Sequence, residues 1–133
     1  MARWLISGAF IVAACPAALA HHSISGVYDT AQPVTVEGTI AQYQYVNPHP
    51  YMIVDVRRSE TVEKWYFELD NRRELADIGI TETTFKPGDR IVVVGSPARL
   101  EGRKLYVERL DRPADGFGFE QVRNSPRLRT RPR

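Results

Sequence analysis

Sulfur is scarce in this sequence. Of 133 residues only Cys15 is a cysteine, and it lies in an apolar leader, so the rest of the chain can form no disulfide and offers no thiol nucleophile. An oxidising compartment permits disulfides but does not require them. No serine stands in a nucleophile elbow. Neither a phosphate-cradling glycine loop nor a Cys/His zinc spacing occurs. Long apolar runs are missing too: the longest, Trp4 to Ala14, has eleven residues, against the ~20 that a permanent membrane-spanning helix needs. Charge of one sign is not in excess, since 18 basic and 16 acidic groups leave +2. That balance argues neither for nor against a polyanionic partner.

What is present begins with an export signal. Arg3 supplies a positive start and Trp4 to Ala14 the apolar stretch. Pro16 breaks the run, and Ala18-Leu19-Ala20 gives the small-x-small pattern read by signal peptidase. Residues 1–20 are therefore expected to be removed, leaving 113 residues that start at His21. The expected location is the periplasm. A rival reading makes Val12-Ala13-Ala14-Cys15 a lipobox with Cys15 lipidated, in which case His21 would have no free amine. A remainder of this size is one domain with one core.

Along that domain, Val34, Val36 and Ile40 alternate with Thr35, Glu37 and Thr39, a period-two strand. Gly38 inside it marks sharp coiling. The apolar phase then flips to Tyr43 and Tyr45, which predicts a bulge near Ala41. Asn47-Pro48-His49-Pro50 stops the strand. Tyr51 to Val56 forms a second strand, with Met52, Val54 and Val56 on one face, and Trp65, Phe67 and Leu69 alternate in a third. Asn71 with Glu74 predicts a capped short helix, closed by Gly79. After the turn Lys86-Pro87-Gly88-Asp89 come the run Ile91 to Val94, a hairpin at Leu100 to Arg103, and Leu105 to Val107. Three strands, a helix and two strands predict a mostly β fold, a small five-stranded OB-like barrel over residues 21–115. An open β-sandwich fits the alternation nearly as well. Residues 116–133, rich in Pro and Arg, are expected to be a disordered basic tail.

The chemistry concentrates in three histidines, His21, His22 and His49. A histidine at a new N-terminus can chelate one ion through its amine and its Nδ1. One further imidazole completes a three-nitrogen brace suited to Cu(II). The amine, with a pKa near ~8, yields its proton readily to a competing metal. His49, between two prolines, is a candidate third ligand, and His22 competes with it less comfortably. Asp29 or Glu37 could add an oxygen. Against this stands a plain structural reading: a solvated terminal His pair, and a His49 that bonds backbone at a strand end. Tyr43, Tyr45, Tyr51, Trp65, Tyr66 and Phe67 cluster in the first three strands. A ligand face of Tyr45, Asn47, Trp65 and Glu68 is the candidate, although strands favour aromatics and half of these should be core. Glu68 and Asp70 share a strand face, more readily as solvated carboxylates than as an acid–base pair. The Arg-rich tail could attract anionic lipid, but nucleic acid is not expected in an exported protein.

Several of these residues also form a pattern. His21-His22-Ser23, Tyr28-Asp29, Glu37-Gly38, Asn47-Pro48-His49, Trp65 with Glu68, Leu75 with Gly79, Pro87-Gly88-Asp89 and Gly95-x-Pro97-Ala98 resemble a bacterial family of small exported proteins defined only as a domain of unknown function. The resemblance spans about His21 to Asp115. Many members have tryptophan where this chain has Tyr45. It implies export and a small barrel-like domain, and it implies no activity. The expected function is thus a periplasmic copper carrier or accessory protein. The alternative is a metal-free module that binds a partner protein or small ligand. An enzyme using the same brace is the third class, disfavoured by the small size and the lack of an evident cleft.

Overall fold

A computed structural model describes residues 23–123 and 125–129. The elements run α1 (Ile24–Val27), β1 (Val34–Gln44), β2 (Tyr51–Arg58), β3 (Thr61–Glu68), α2 (Arg72–Asp77), β4 (Arg90–Pro97), β5 (Lys104–Arg112), β6 (Phe117–Val122) and β7 (Ser125–Leu128). Among the described residues no helix is long and apolar enough to cross a membrane.

The first strand builds the barrel by serving two neighbours. Its first half pairs antiparallel with β4, from Val34 opposite Gly95 to Thr39 opposite Arg90. Its second half pairs with β2, from Thr39 opposite Asp55 to Gln44 opposite Tyr51. The register slips between Ile40 and Gln42, leaving Ala41 as the extra residue of the expected bulge. The strand can turn between partners because Gly38 has no side chain. A Cβ there would lie 2.5 Å from Val54 Cγ1 and 2.7 Å from the Asp55 carbonyl oxygen.

Closure comes from a parallel seam in which Tyr66, Phe67 and Glu68 of β3 oppose Lys104, Leu105 and Tyr106 of β5. The circuit β1-β2-β3-β5-β4-β1 is complete, so the expected closed five-stranded barrel with a short helix after β3 is present, and the open sandwich is not. Inward residues follow the alternation. Val36, Ile40, Met52, Val54, Phe67, Ile91, Val93, Leu105 and Val107 are all buried in one core. Helix α2 adds Leu75. Asn71 caps it through Oδ1, which accepts from the Arg73 N–H at 2.8 Å, and Gly79 ends it at a φ of 87°.

The C-terminal expectation needs correction. Residues 117–122 and 125–128 are not an unstructured tail: β6 pairs with the outer half of β5, and β7 pairs with β6. Phe119 is fully buried. The sequence hid this because charge pairing replaces apolar alternation. Arg127 bonds Glu120 at 2.8 Å, and Arg129 bonds Asp111 across to β5. Pro126 is tolerated because β7 is an edge strand. Arg131 and Arg133 lie outside the described residues.

Candidate functional site

On the outer face of the seam lies a groove of about 700 Å³. Its walls come from three places. The N-terminal segment gives Ile24, Val27 and Tyr28; the β1–β2 connection gives Asn47, Pro48 and His49; the seam strands and their approach give Tyr66, Glu68, Glu101 and Lys104. Four separate stretches of chain thus converge only because the barrel closes.

The N-terminal segment is pinned here. Ser23 caps α1, its Oγ accepting from the Gly26 N–H at 3.1 Å. Tyr28 forms an isolated antiparallel bridge with Ala98. The Asp29 N–H donates to the Pro97 carbonyl at 2.8 Å, and the Arg99 N–H donates to the Val27 carbonyl at 2.9 Å. Tyr28 is buried against the Tyr106 ring, with centroids 5.8 Å apart, and its hydroxyl donates to Glu68 Oε2.

His49 sits across the groove. Its Nδ1 lies 3.1 Å from the Leu69 carbonyl oxygen and 3.7 Å from Glu68 Oε1. A carbonyl oxygen only accepts, so Nδ1 carries the proton. In the neutral ring this tautomer leaves the Nε2 lone pair free to bind a metal or to accept a hydrogen bond. The side chains of His49 and Glu68 are 33% and 23% exposed, accessible yet held. The Asn47–Pro48 peptide that precedes His49 is cis.

Further titratable groups stand near His49. The Glu74 carboxyl is held above its ordinary range by loss of solvent first, then by the neighbouring Asp70 and Asp77 carboxylates, with His49 opposing. The phenols of Tyr28 and Tyr106 are pushed well above their usual range, mainly by burial, with Glu68 adding to the first and Asp70 to the second. Tyr66 is pushed up to about 12, by burial first and then by Glu68. These phenols therefore stay protonated at neutral pH, and that of Tyr28 donates to Glu68. Lys104 is the local cation. Its Nζ lies 2.9 Å from Glu101 Oε1 and 5.4 Å from the centre of the Tyr66 ring. Tyr51 and Tyr66 stack with centroids 4.8 Å apart.

The structure brings together Asn47, His49 and Glu68 of the residues singled out from sequence. It separates Tyr45 and Trp65 from them. The Tyr45 hydroxyl donates to the Ile80 carbonyl at 2.9 Å while Arg72 covers its ring, so this aromatic seats α2. Trp65 packs against the core and donates to Glu63 at 3.2 Å. Asp29 and Glu37 are engaged by Arg99 and Arg90. Asp70 is buried beyond β3, where it accepts from the Asn71 N–H at 2.6 Å. His21 and His22 lie outside the described residues. Among the described residues no three His, Cys, Asp or Glu side chains gather as a metal cage. Sequence reasoning did not place Tyr28, Tyr66, Lys104 or Glu101 at a site. Tyr28 had left a signal only as part of the Tyr28-Asp29 pair, and Tyr66 only as one of the aromatics clustered in the first three strands.

Fold and groove together define a closed five-stranded barrel with a histidine–carboxylate cleft on its seam. The chain belongs to the family of unknown function DUF6152, whose pattern matches residues 9–105, from within the N-terminal apolar run into β5. No curated protein and no solved structure matches it.

Proposed function

We propose that this protein is an exported, periplasmic copper-binding protein, a carrier or accessory factor whose metal sits at the His49 end of the groove. The observation that carries this reading is the Nδ1–H bond from His49 to the Leu69 carbonyl at 3.1 Å. Metal-ligating histidines have this arrangement, with one ring nitrogen held by a backbone or carboxylate oxygen and the other free. The second support is reach. Ile24 lines the groove, and three peptide units hold the His21 Cα within roughly 11 Å of the Ile24 Cα. After cleavage at Ala20, the His21 amine and Nδ1 would chelate Cu(II), and His49 Nε2 would complete the set. His22 is the competing third ligand.

The first test is the mass of protein purified from the periplasm, native and then denatured. The expected result is a chain beginning at His21 that loses one copper on denaturation. Two variants then locate the site. His49→Ala should weaken Cu(II) by ~100-fold or more, since loss of a mere supporting partner already costs 10–100-fold. Adding one residue before His21 should do the same by removing the chelating amine. A chain that begins at a lipidated Cys15, or one that takes up no copper when it is offered, would overturn the proposal.

One observation favours a second reading. The groove is large enough for a small organic ligand, and the stacked Tyr51 and Tyr66 offer it an aromatic wall. On that reading the domain is a metal-free binding module, and neither variant changes copper uptake.

A further inference from the structure

The contacts of Glu68 reach beyond His49. One carboxylate oxygen accepts from the Tyr28 hydroxyl, and the other lies 3.7 Å from His49 Nδ1. Tyr28 belongs to the segment that immediately follows the predicted mature terminus. His49 belongs to the β1–β2 connection. Glu68 sits between them at the end of β3, on the seam itself, where it opposes Tyr106.

Building on the copper reading, we infer that Glu68 and Tyr28 are positioning residues, which register the N-terminal segment against the His49 ring through one shared carboxylate. Two features make the link specific. Tyr28 is buried and its phenol stays protonated, so it is a fixed donor. Glu68 can answer only as an acceptor, and a carboxylate has lone pairs for both neighbours at once. Its position near Nδ1 adds to the pull of the Leu69 carbonyl and keeps the proton on that nitrogen. The same oxygen pair thus sets where the segment from Ile24 to Tyr28 lies along the groove and which histidine nitrogen faces it. Supporting partners of this type typically govern metal affinity by 10–100-fold.

The test uses protein beginning at His21 and the variants Tyr28→Phe and Glu68→Gln. Glu108→Gln is the control, because Glu108 accepts a hydrogen bond from Ser96 on the β4–β5 ladder, away from the groove. Tyr28→Phe keeps the buried ring and removes only the hydroxyl, so it stays informative if Glu68→Gln folds poorly. Long-range ¹H–¹⁵N spectra of the metal-free protein read the His49 tautomer, and competition with a chelator reads Cu(II) affinity. Both groove variants should reduce the Nδ1–H population and loosen amide exchange at Gly26 and Tyr28. Each should weaken copper about 10–100-fold, with less than additive loss when combined. The control should change neither reading. If the parent binds no Cu(II), the copper proposal falls, while the tautomer and exchange data still decide the positioning claim. If the parent binds copper and both variants match it in affinity and tautomer, the inference is overturned.

Discussion

Substituting Gly38 by alanine should strain the barrel at the point where β1 passes from β4 to β2. The added methyl would lie 2.5 Å from Val54 Cγ1, 2.7 Å from the Asp55 carbonyl oxygen and 3.3 Å from Val56 Cγ2. None of the three can yield cheaply. Val54 and Val56 are buried in the core, and Asp55 belongs to the β1–β2 ladder, opposite Thr39. Overpacking of this type costs about 1–3 kcal/mol, and contact with backbone puts it at the upper end. Alanine recovers about 0.4–1 kcal/mol by restricting the unfolded chain. The net loss is about 2 kcal/mol. A domain of roughly 100 residues loses about 4–5 °C of Tm per kcal/mol, so Tm should fall by about 8–10 °C. Gly102→Ala is the matched comparison, because nothing lies within 4 Å of its Cβ position. Thermal and urea unfolding followed by circular dichroism would measure both. Equal stability of the two variants would refute the close-approach argument.

Other expectations follow from the same structure. Phe119→Ala should cost about 3–5 kcal/mol, because its ring is fully buried in the core; a change under 1 kcal/mol in urea unfolding would show that β6 does not seal the barrel. Asp115 is held below the usual carboxylate range, by its bond to Arg112 first and then by the Phe117 N–H. The folded chain therefore binds fewer protons there than the unfolded chain. This contribution is complete above pH ~4 and is lost as pH falls through the lowered folded value. Asp115→Asn should thus be less stable than the parent at pH 7 and equal to it in strong acid, as chemical unfolding across pH would show. Cu(II) should be favoured over Cu(I), since soft sulfur donors select Cu(I) and Met52, the only methionine or cysteine after Cys15, is fully buried. Chelator competition in both oxidation states checks this, and tighter Cu(I) binding would contradict it.

Much of the barrel was legible because strands advertise themselves by alternation. Val36 and Ile40, the bulge at Ala41 and the cap at Asn71 all stand where local pattern put them. The seam was legible only as element order, because pairing of Tyr66 with Lys104 is a relation between distant residues with no local sign. β6 and β7 escaped because the side chains that tie them in, Arg127 with Glu120 and, just past β7, Arg129 with Asp111 of β5, read as solvated charge. At the site, His49 stood out through its rarity and its flanking prolines. Glu68 was named, but not its bond to Tyr28, which joins residues 40 positions apart. Tyr45 and Trp65 stand away from the groove, and no local pattern could have said so. An aromatic on a strand looks the same whether it faces a ligand or seats a helix.

The placement of the groove across the seam links occupancy to folding. Tyr66 and Glu68 line it from one side of the closure, and Glu101 and Lys104 from the other. In any sheet that has not yet closed, those walls are apart and the cleft does not exist. An occupant that touches both sides acts as a clasp, stabilising the closed ring by RT ln(1 + [L]/Kd) and leaving the open sheet unaffected. It would do so at the seam whose closure, with its parallel pairing and long sequence separation, is expected to be slow. Whatever fills the groove should therefore slow the opening of the barrel as well as raise its melting temperature.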